Sequence, residues 1–130
     1  MIVLDASAAL ELILQTPRSA AVARRVAAPG ETLHAPHLID LEVVQVLRRF
    51  LRARALSEDR ASKAFDDFRD LPVVRYAHAL LLERVWSLRT NATAYDAAYL
   101  ALAEALDAPL LTADRRMRTI AGTRARVELA

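Results

Sequence analysis

The sequence predicts a three-layer α/β sandwich, in which helices cover both faces of a parallel sheet of about five strands. Short apolar runs alternate with longer segments of helical character, which is the pattern of repeated βαβ units. The runs are apolar at nearly every position, as expected for strands that are covered on both faces. Both glycines, Gly30 and Gly122, fall between these segments, where turns are expected.

The strands are predicted from short runs that follow turns or prolines. The first run is apolar and β-branched, which is typical of a buried strand. The second follows the turn at Pro29-Gly30, and the third and fourth begin at prolines. In chain order the predicted strands are Ile2–Leu4, Thr32–His34, Pro72–Val74, Pro109–Leu111 and Arg126–Glu128.

The helices are predicted from periodic segments with start and stop signals. Pro36, Ser57 and Thr93 each precede such a segment, and these residue types favour helix starts. Arginines in the last turns of the third helix complement the helix dipole. The predicted helices are Ala6–Leu14, Ser19–Ala27, His37–Ala53, Ser57–Arg69, Ala77–Leu88, Ala94–Leu106 and the short Asp114–Ile120.

Length and composition favour a single globular domain over residues 1–130, since 55% of the residues are apolar and 26% are charged. The chain has no cysteine, which excludes Cys-ligated zinc, iron–sulfur clusters and thiol nucleophiles and favours a reducing, cytoplasmic location. No apolar stretch is long enough to span a bilayer, and the start of the chain lacks the pattern of a signal peptide, so no membrane association is expected.

Four acidic residues are predicted to meet at the carboxyl edge of the sheet, where ligands of such sheets bind. Asp5 and Asp114 directly follow predicted strands, and Glu42 and Asp96 lie in the first turns of helices. Each has a structural alternative: Asp5 and Asp114 would cap the helices that follow them, and Asp96 would complete a capping box with Thr93. Glu42 would complement the positive end of its helix.

Glu42 and Asp96 are the hardest of the four to explain structurally. Both lie in strongly apolar helical segments, where a carboxylate is costly unless it is paired or bound to a metal. Several carboxylates at one edge stay ionised together only beside a cation, and an all-oxygen site suits Mg²⁺ or Mn²⁺. Such ions support hydrolysis of phosphodiester bonds. Ser7 and Thr112 would assist by holding a water molecule or a phosphate oxygen, or would only complete turns.

Several other chemistries are excluded or disfavoured. With two glycines the chain has no glycine-rich phosphate loop, and it has neither an H-E-x-x-H motif nor a G-x-S-x-G elbow. His34 and His37 are expected to be satisfied structural histidines. The aromatic residues Tyr95, Tyr99 and Trp86 would stack on bases, but their apolar surroundings favour core packing.

The acidic residues lie in segments that resemble the PIN-domain family, and most closely the VapC toxins of bacterial toxin–antitoxin pairs. The resemblance rests on four segments that together span nearly the whole chain and hold the acids in the family's order. They are Met-Ile-Val-Leu-Asp5-Ala-Ser7-Ala, Glu42-Val-Val-Gln-Val-Leu-Arg, Thr93-Ala-Tyr-Asp96-Ala-Ala-Tyr-Leu-Ala-Leu-Ala and Leu-Leu-Thr112-Ala-Asp114-Arg.

This resemblance implies an endoribonuclease that depends on Mg²⁺ or Mn²⁺. The acidic quartet would be Asp5, Glu42, Asp96 and Asp114, assisted by Ser7 and Thr112. The resemblance also implies a homodimer that is neutralised by a VapB-type antitoxin, whose C-terminal segment would cover the active-site groove.

The chain departs from many relatives directly after Asp114, where Arg115 and Arg116 replace a further acid, so the number of metal ions stays open. The two arginines would contact RNA phosphates or only cover a helix surface. Asp40 is expected to face solvent or to act in capping.

Two other functions are carried as alternatives. A phosphatase with Asp5 as the nucleophile would need an acid two residues later, where the chain has Ser7. A catalytically silent binding module would use the acids only as helix caps.

Overall fold

The computed structural model describes all residues from Met1 to Ala130 and contains one parallel five-stranded sheet. The strand order is β3-β2-β1-β4-β5. The strands are β1 (Ile2–Leu4), β2 (Leu33–Pro36), β3 (Val73–Tyr76), β4 (Leu110–Thr112) and β5 (Val127–Leu129).

Six α-helices and two short 3-10 helices connect the strands. The α-helices are α1 (Ala6–Ile13), α2 (Ser19–Val26), α3 (Leu38–Arg52), α4 (Glu58–Arg69), α5 (Leu82–Ser87) and α6 (Ala94–Ala105). Helices α1, α3 and α4 pack against one another, α2 packs on α1, and α5 packs on α6, which lies over β1, β2 and β4. Because parallel crossovers are right-handed, this order places α1 to α4 on one face of the sheet and α5 and α6 on the other, which confirms the predicted sandwich.

The strand order reverses direction between β1 and β4. The chain moves from β1 outward through β2 to β3, and then returns to the other side of β1 to form β4 and β5. Val3 and Leu4 of β1 pair with Leu110 and Leu111 of β4. In open α/β sheets such a switch point opens a crevice beyond the carboxyl ends of the strands.

One continuous hydrophobic core fills the space between the layers. Strand β1 is completely buried, and so is every residue from Ala97 to Ala103 in α6, as predicted for a helix that is apolar nearly all round. Tyr99 is 1% exposed, so its predicted core position is correct. The same prediction is wrong for Trp86 and Tyr95, which are 68% and 66% exposed. Trp86 lies in α5, which has no fully buried residue, and Tyr95 lies in the first turn of α6, before its buried segment begins at Ala97.

The structure corrects three predicted elements. The segment Ala77–Leu88 is not one helix but a 3-10 turn over His78–Leu80 followed by α5. The segment after Asp114 is a 3-10 helix over Arg115–Thr119. Pro36 ends β2 instead of opening α3, since it pairs with Tyr76 of β3 beyond the part of β2 that pairs with β1.

The predicted roles of the polar residues near β2 are partly confirmed. His34 is buried and bonds to Thr32 through Nε2 and to the Tyr76 hydroxyl through Nδ1, so it is a satisfied structural histidine. Asp40 lies in the first turn of α3 with its side chain 41% exposed, as predicted for a residue that faces solvent, and Arg75 on β3 also donates to both of its carboxylate oxygens at 2.8 and 3.0 Å. No helix in the structure combines the length and apolar character needed to cross a membrane.

Candidate active site

The candidate site lies at the carboxyl ends of β1 and β4, where the strand order reverses. Asp5 directly follows β1, and Thr112 is the last residue of β4. Glu42 extends from the early part of α3, and Asp96 from the first turn of α6. The parallel sheet therefore brings residues that are far apart in sequence to a single edge.

Asp5 is buried and is held by two hydroxyl groups. Its Oδ2 accepts hydrogen bonds from Ser7 Oγ at 2.5 Å and from Thr112 Oγ1 at 2.6 Å. Asp5 stands at the N-cap position of α1, yet its side chain makes no capping hydrogen bond, so the capping alternative does not explain this residue. Burial raises the pKa of the Asp5 carboxyl, the two hydroxyl donors act in the opposite direction, and the charge of Asp96 adds to the rise.

The hydroxyls of Ser7 and Thr112 connect the two central strands. Ser7 Oγ accepts from the backbone N–H of Ala113 at 2.9 Å, and Thr112 Oγ1 accepts from that of Asp114 at 3.0 Å. Each hydroxyl therefore donates its proton to Asp5 and accepts from the loop after β4. Both residues hold Asp5 in position and accept from the turn after β4, which fits the alternative that they complete turns. Their role in holding a water molecule or a phosphate oxygen stays a prediction.

Glu42 is half-buried and is paired with a residue that the sequence predicted only as core. The hydroxyl of Tyr99 donates to Glu42 Oε2 at 2.6 Å. Burial raises the pKa of the Glu42 carboxyl, and the charges of Asp5 and Asp96 raise it further, whereas the bond from Tyr99 lowers it. Ionised together without a cation, these three carboxylates would repel one another.

Asp96 faces the groove without a hydrogen-bonding partner for its carboxylate. Thr93 caps α6 by accepting from the backbone N–H of Asp96 at 3.1 Å. The reciprocal half of the capping box is absent, because the Asp96 side chain does not return a bond to Thr93. Its carboxylate is therefore free for other ligands.

Asp114 is engaged by Arg116. The guanidinium donates through Nη2 to Asp114 Oδ2 at 2.5 Å, and the Arg116 backbone N–H donates to Oδ1 at 2.9 Å. The guanidinium is the main reason that the pKa of the Asp114 carboxyl is lowered. The capping alternative holds for this residue, and Arg116 pairs with it although the arginine side chain is 84% exposed, whereas exposed Arg115 pairs with no acid.

All four acids line one open groove of about 1020 Å³. Apolar side chains of α1 and α3, among them Leu10 and Val44, and the side chain of Tyr95 also line it. No three acidic or histidine side chains are close enough in this arrangement to enclose a metal ion. The groove thus gathers the predicted residues, while the carboxylates still stand apart within it.

Sequence reasoning missed two tyrosines. Tyr99 was assigned to packing alone, and Tyr95 was assigned to the core although it forms part of the groove. A signal for Tyr99 was present, because a buried phenol usually hydrogen-bonds to another polar group. Its helical spacing from Asp96, three residues along α6, placed that hydroxyl toward the same edge.

A comparison with known protein families finds one that matches most of the chain. The model of the PIN domain family matches residues 2–123. The chain is 44% identical over 129 residues to Ribonuclease VapC12 of Mycobacterium tuberculosis, covering 99% of this chain and 98% of that protein.

Two solved structures are similar in fold. VapBC2 from Rickettsia felis, bound to a DNA fragment from its promoter, superposes with a TM-score of 0.72 at 17% identity and covers 99% of this chain and 98% of that one. Mycobacterium tuberculosis VapC20, described as a Sarcin-Ricin loop cleaving toxin, gives a TM-score of 0.71 at 18% identity, with 95% and 96% covered. At these identities the two structures support the fold alone.

Proposed function

The chain belongs to the PIN-domain family, and on that premise we propose that it is an endoribonuclease that acts as the toxin of a toxin–antitoxin pair. The proposal is supported by the likeness to a relative named as a ribonuclease over nearly the full length of both chains. The observation that carries it is the groove at the switch point, which is lined by Asp5, Glu42, Asp96 and Asp114.

We further propose that the site uses Mg²⁺ or Mn²⁺. The acidic donors are all oxygen atoms, and oxygen ligands are those that these ions prefer. Asp5, Glu42, Asp96 and Asp114 would hold the ion, and the carboxylates would have to turn toward one another to do so. The chemistry that such an ion supplies is activation of water and stabilisation of charge on the phosphate.

The protein's own residues prepare the site for this chemistry. Ser7 and Thr112 donate to Oδ2 of Asp5, and Tyr99 donates to Oε2 of Glu42. One oxygen of each of these two carboxylates is therefore held in place by hydroxyl groups. Asp5 and Glu42 are therefore oriented in advance, whereas Asp96 and Asp114 would turn toward them when an ion binds. Arg116 would release Asp114 and donate instead to a phosphate oxygen of the RNA. Exposed Arg115 would contact the RNA backbone nearby.

The proposed partners follow from the same family. A VapB-type antitoxin would cover the groove and block access of RNA, and the toxin would act as a homodimer in the cytoplasm. One fold neighbour is a VapBC pair with promoter DNA, and the 44% identity to Ribonuclease VapC12 is what supports such a pairing as a hypothesis for this chain.

A cleavage assay tests the proposal. Purified wild-type protein should cut single-stranded RNA when Mg²⁺ or Mn²⁺ is present and should stop when EDTA is added. Asp96→Asn should abolish cleavage while the fold is retained, whereas Asp66→Asn, at a carboxylate that is 69% exposed on α4, should have no effect. Full cleavage by Asp96→Asn, or cleavage by the wild type in EDTA, would contradict the assignment.

A further inference from the structure

A second cavity of about 700 Å³ adjoins the acidic groove. We call it the side cavity; its walls include Arg89, Thr90, Asn91 and Thr119. Asp96 and Arg116 line both the groove and the side cavity, so these two residues form the boundary between them. A ligand that reaches Asp96 from the groove can continue into the side cavity across this boundary.

The two cavities differ in charge. Carboxylates outnumber guanidinium groups in the walls of the groove, whereas the side cavity has two arginines, Arg89 and Arg116, against the single carboxylate of Asp96. Arg116 already pairs with Asp114, so Arg89 is the one unpaired cation of the side cavity. The amide of Asn91 and the hydroxyl of Thr119 already donate to backbone carbonyl groups, so Arg89 is the group that would bind an anion there.

Arg89 is an oriented cation that has no acidic partner. Its Nη1 donates to the backbone carbonyl of Trp86 at 2.9 Å, and its guanidinium lies 4.5 Å from the centroid of the exposed Trp86 ring. No carboxylate of the chain lies within ion-pairing distance of it, whereas Arg84 and Arg116 each pair with an acid. The remaining guanidinium donors of Arg89 are thus available for a phosphate, the anion that this group matches best.

From these observations we propose that the side cavity binds a backbone phosphate of the RNA strand next to the phosphate that is cleaved. This proposal rests on the proposed function. The cleaved phosphate would lie in the acidic groove, and the phosphates beside it would be repelled there by the carboxylates. One of these neighbouring phosphates would instead lie in the side cavity, on the other side of Asp96. Arg89 is the residue that would bind it there.

Binding of RNA in EDTA, where the proposed hydrolysis stops, tests this site without any metal ion. An RNA octamer would be titrated against the wild type, Arg89→Gln, Arg89→Lys and the control Arg24→Gln, with fluorescence anisotropy as the readout. Arg24 is exposed on α2, next to Arg25, which pairs with Glu31 near the opposite end of the sheet. Thermal unfolding of each variant would confirm that the fold is unchanged.

We expect Arg89→Gln to weaken octamer binding about tenfold, as for the loss of one charge-assisted hydrogen-bonded contact. The slope of log affinity against log salt should fall by about 0.7, the contribution of one phosphate of a single strand. Arg89→Lys should retain the slope, because the charge remains, and Arg24→Gln should change neither quantity. A dinucleotide with one phosphate should bind the wild type and Arg89→Gln equally.

Four results would overturn the proposal. Equal losses of octamer affinity in Arg89→Gln and Arg24→Gln would refute RNA binding at the side cavity. So would unchanged affinity in both variants while the wild type binds and cleaves RNA. Either result would leave the nuclease assignment intact. Failure of the wild type to bind or cleave any RNA would remove both. If a poly-glutamate octapeptide bound in an Arg89-dependent manner and the RNA did not, the cavity would belong to a protein partner.

Discussion

The Tyr99 hydroxyl donates a 2.6 Å hydrogen bond to Glu42, a residue 57 positions away in the sequence. The bond joins α6, the most deeply buried helix, to the start of α3 on the other side of the sheet edge. Tyr99 is 1% exposed, so its ring is held by the core and its hydroxyl has a defined position. The core thereby orients a carboxylate of the candidate site.

Tyr99→Phe removes this bond and leaves the partly buried carboxylate of Glu42 without its donor. We expect the free energy of unfolding to fall by about 1–3 kcal/mol, the cost of an unsatisfied buried polar group. We also expect Mn²⁺ to bind more weakly, because Glu42 is no longer oriented. Urea unfolding and calorimetric titration of Mn²⁺ would measure the two effects.

Tyr95→Phe is the matched control for this change. Tyr95 is 66% exposed, and its hydroxyl makes no hydrogen bond within the chain, so the same chemical change should leave stability and Mn²⁺ affinity unaltered. Equal effects of the two substitutions would refute a positioning role for Tyr99.

Thr112→Val tests the hydroxyl that joins β4 to Asp5. Thr112 is completely buried, and valine has nearly the same shape but neither donates to Asp5 nor accepts from the N–H of Asp114. We expect a loss of about 1–3 kcal/mol in stability and slower cleavage, since Asp5 keeps only Ser7 as a side-chain donor. Thr90→Val, at an exposed position, should leave stability unchanged in the same denaturant titration.

Asp5→Asn is expected to raise the melting temperature of the metal-free protein at neutral pH. Burial raises the pKa of the Asp5 carboxyl, so the ionised form opposes folding above that pKa, and asparagine removes the charge while it still accepts from Ser7 and Thr112. Mn²⁺ should raise the melting temperature of the wild type and have little effect on the variant. A melting temperature that falls in Asp5→Asn would contradict this account.

Acid stability should depend on Glu104, which lies away from the groove. Arg84 donates to both of its carboxylate oxygens, and this contact, with smaller contributions from Arg124 and Thr123, lowers the pKa of Glu104 to about 2. Its folded-state pKa is depressed, so the stabilisation is fully present above about pH 4.5 and is lost as the pH falls toward 2.

Glu104→Gln should therefore reduce stability at pH 7 by about 3 kcal/mol and flatten the dependence of stability on pH between about 5 and 2. The control is Glu83→Gln, at an exposed position on α5 without an ion pair. Chemical denaturation at several pH values would show the difference between the two variants. If Glu104→Gln keeps the wild-type dependence of stability on pH, the ion pair between Arg84 and Glu104 is not the source of that dependence.

Much of the fold could be predicted because local patterns and tertiary structure agree. Asp5 and Thr112 adjoin strands that are recognisable from their apolar runs, and α6 is recognisable from its continuous apolar composition. Parallel pairing then brings strand ends to one edge without any knowledge of side-chain contacts. The four acids of the groove were found by this reasoning alone.

The parts that were not predicted depend on where along a helix the buried segment begins. Tyr95 and Tyr99 are four residues apart and lie on the same face of α6, yet Tyr95 in the first turn lines the groove and Tyr99 one turn later is buried. Periodicity does not separate two residues that share a face. The pairing of Arg116 with Asp114 likewise depends on the tight 3-10 turn after β4, which is set by tertiary packing around Met117.

The contrast between α6 and the 3-10 helix after β4 has a consequence for how a ligand is received. The seven residues that follow Asp96 are all buried, so the backbone at Asp96 is held rigidly. Asp114 precedes a short, largely exposed 3-10 helix, and its counterion Arg116 can be displaced. A cation that enters the groove would therefore bind where Asp96 already stands, and Asp114 would move toward it.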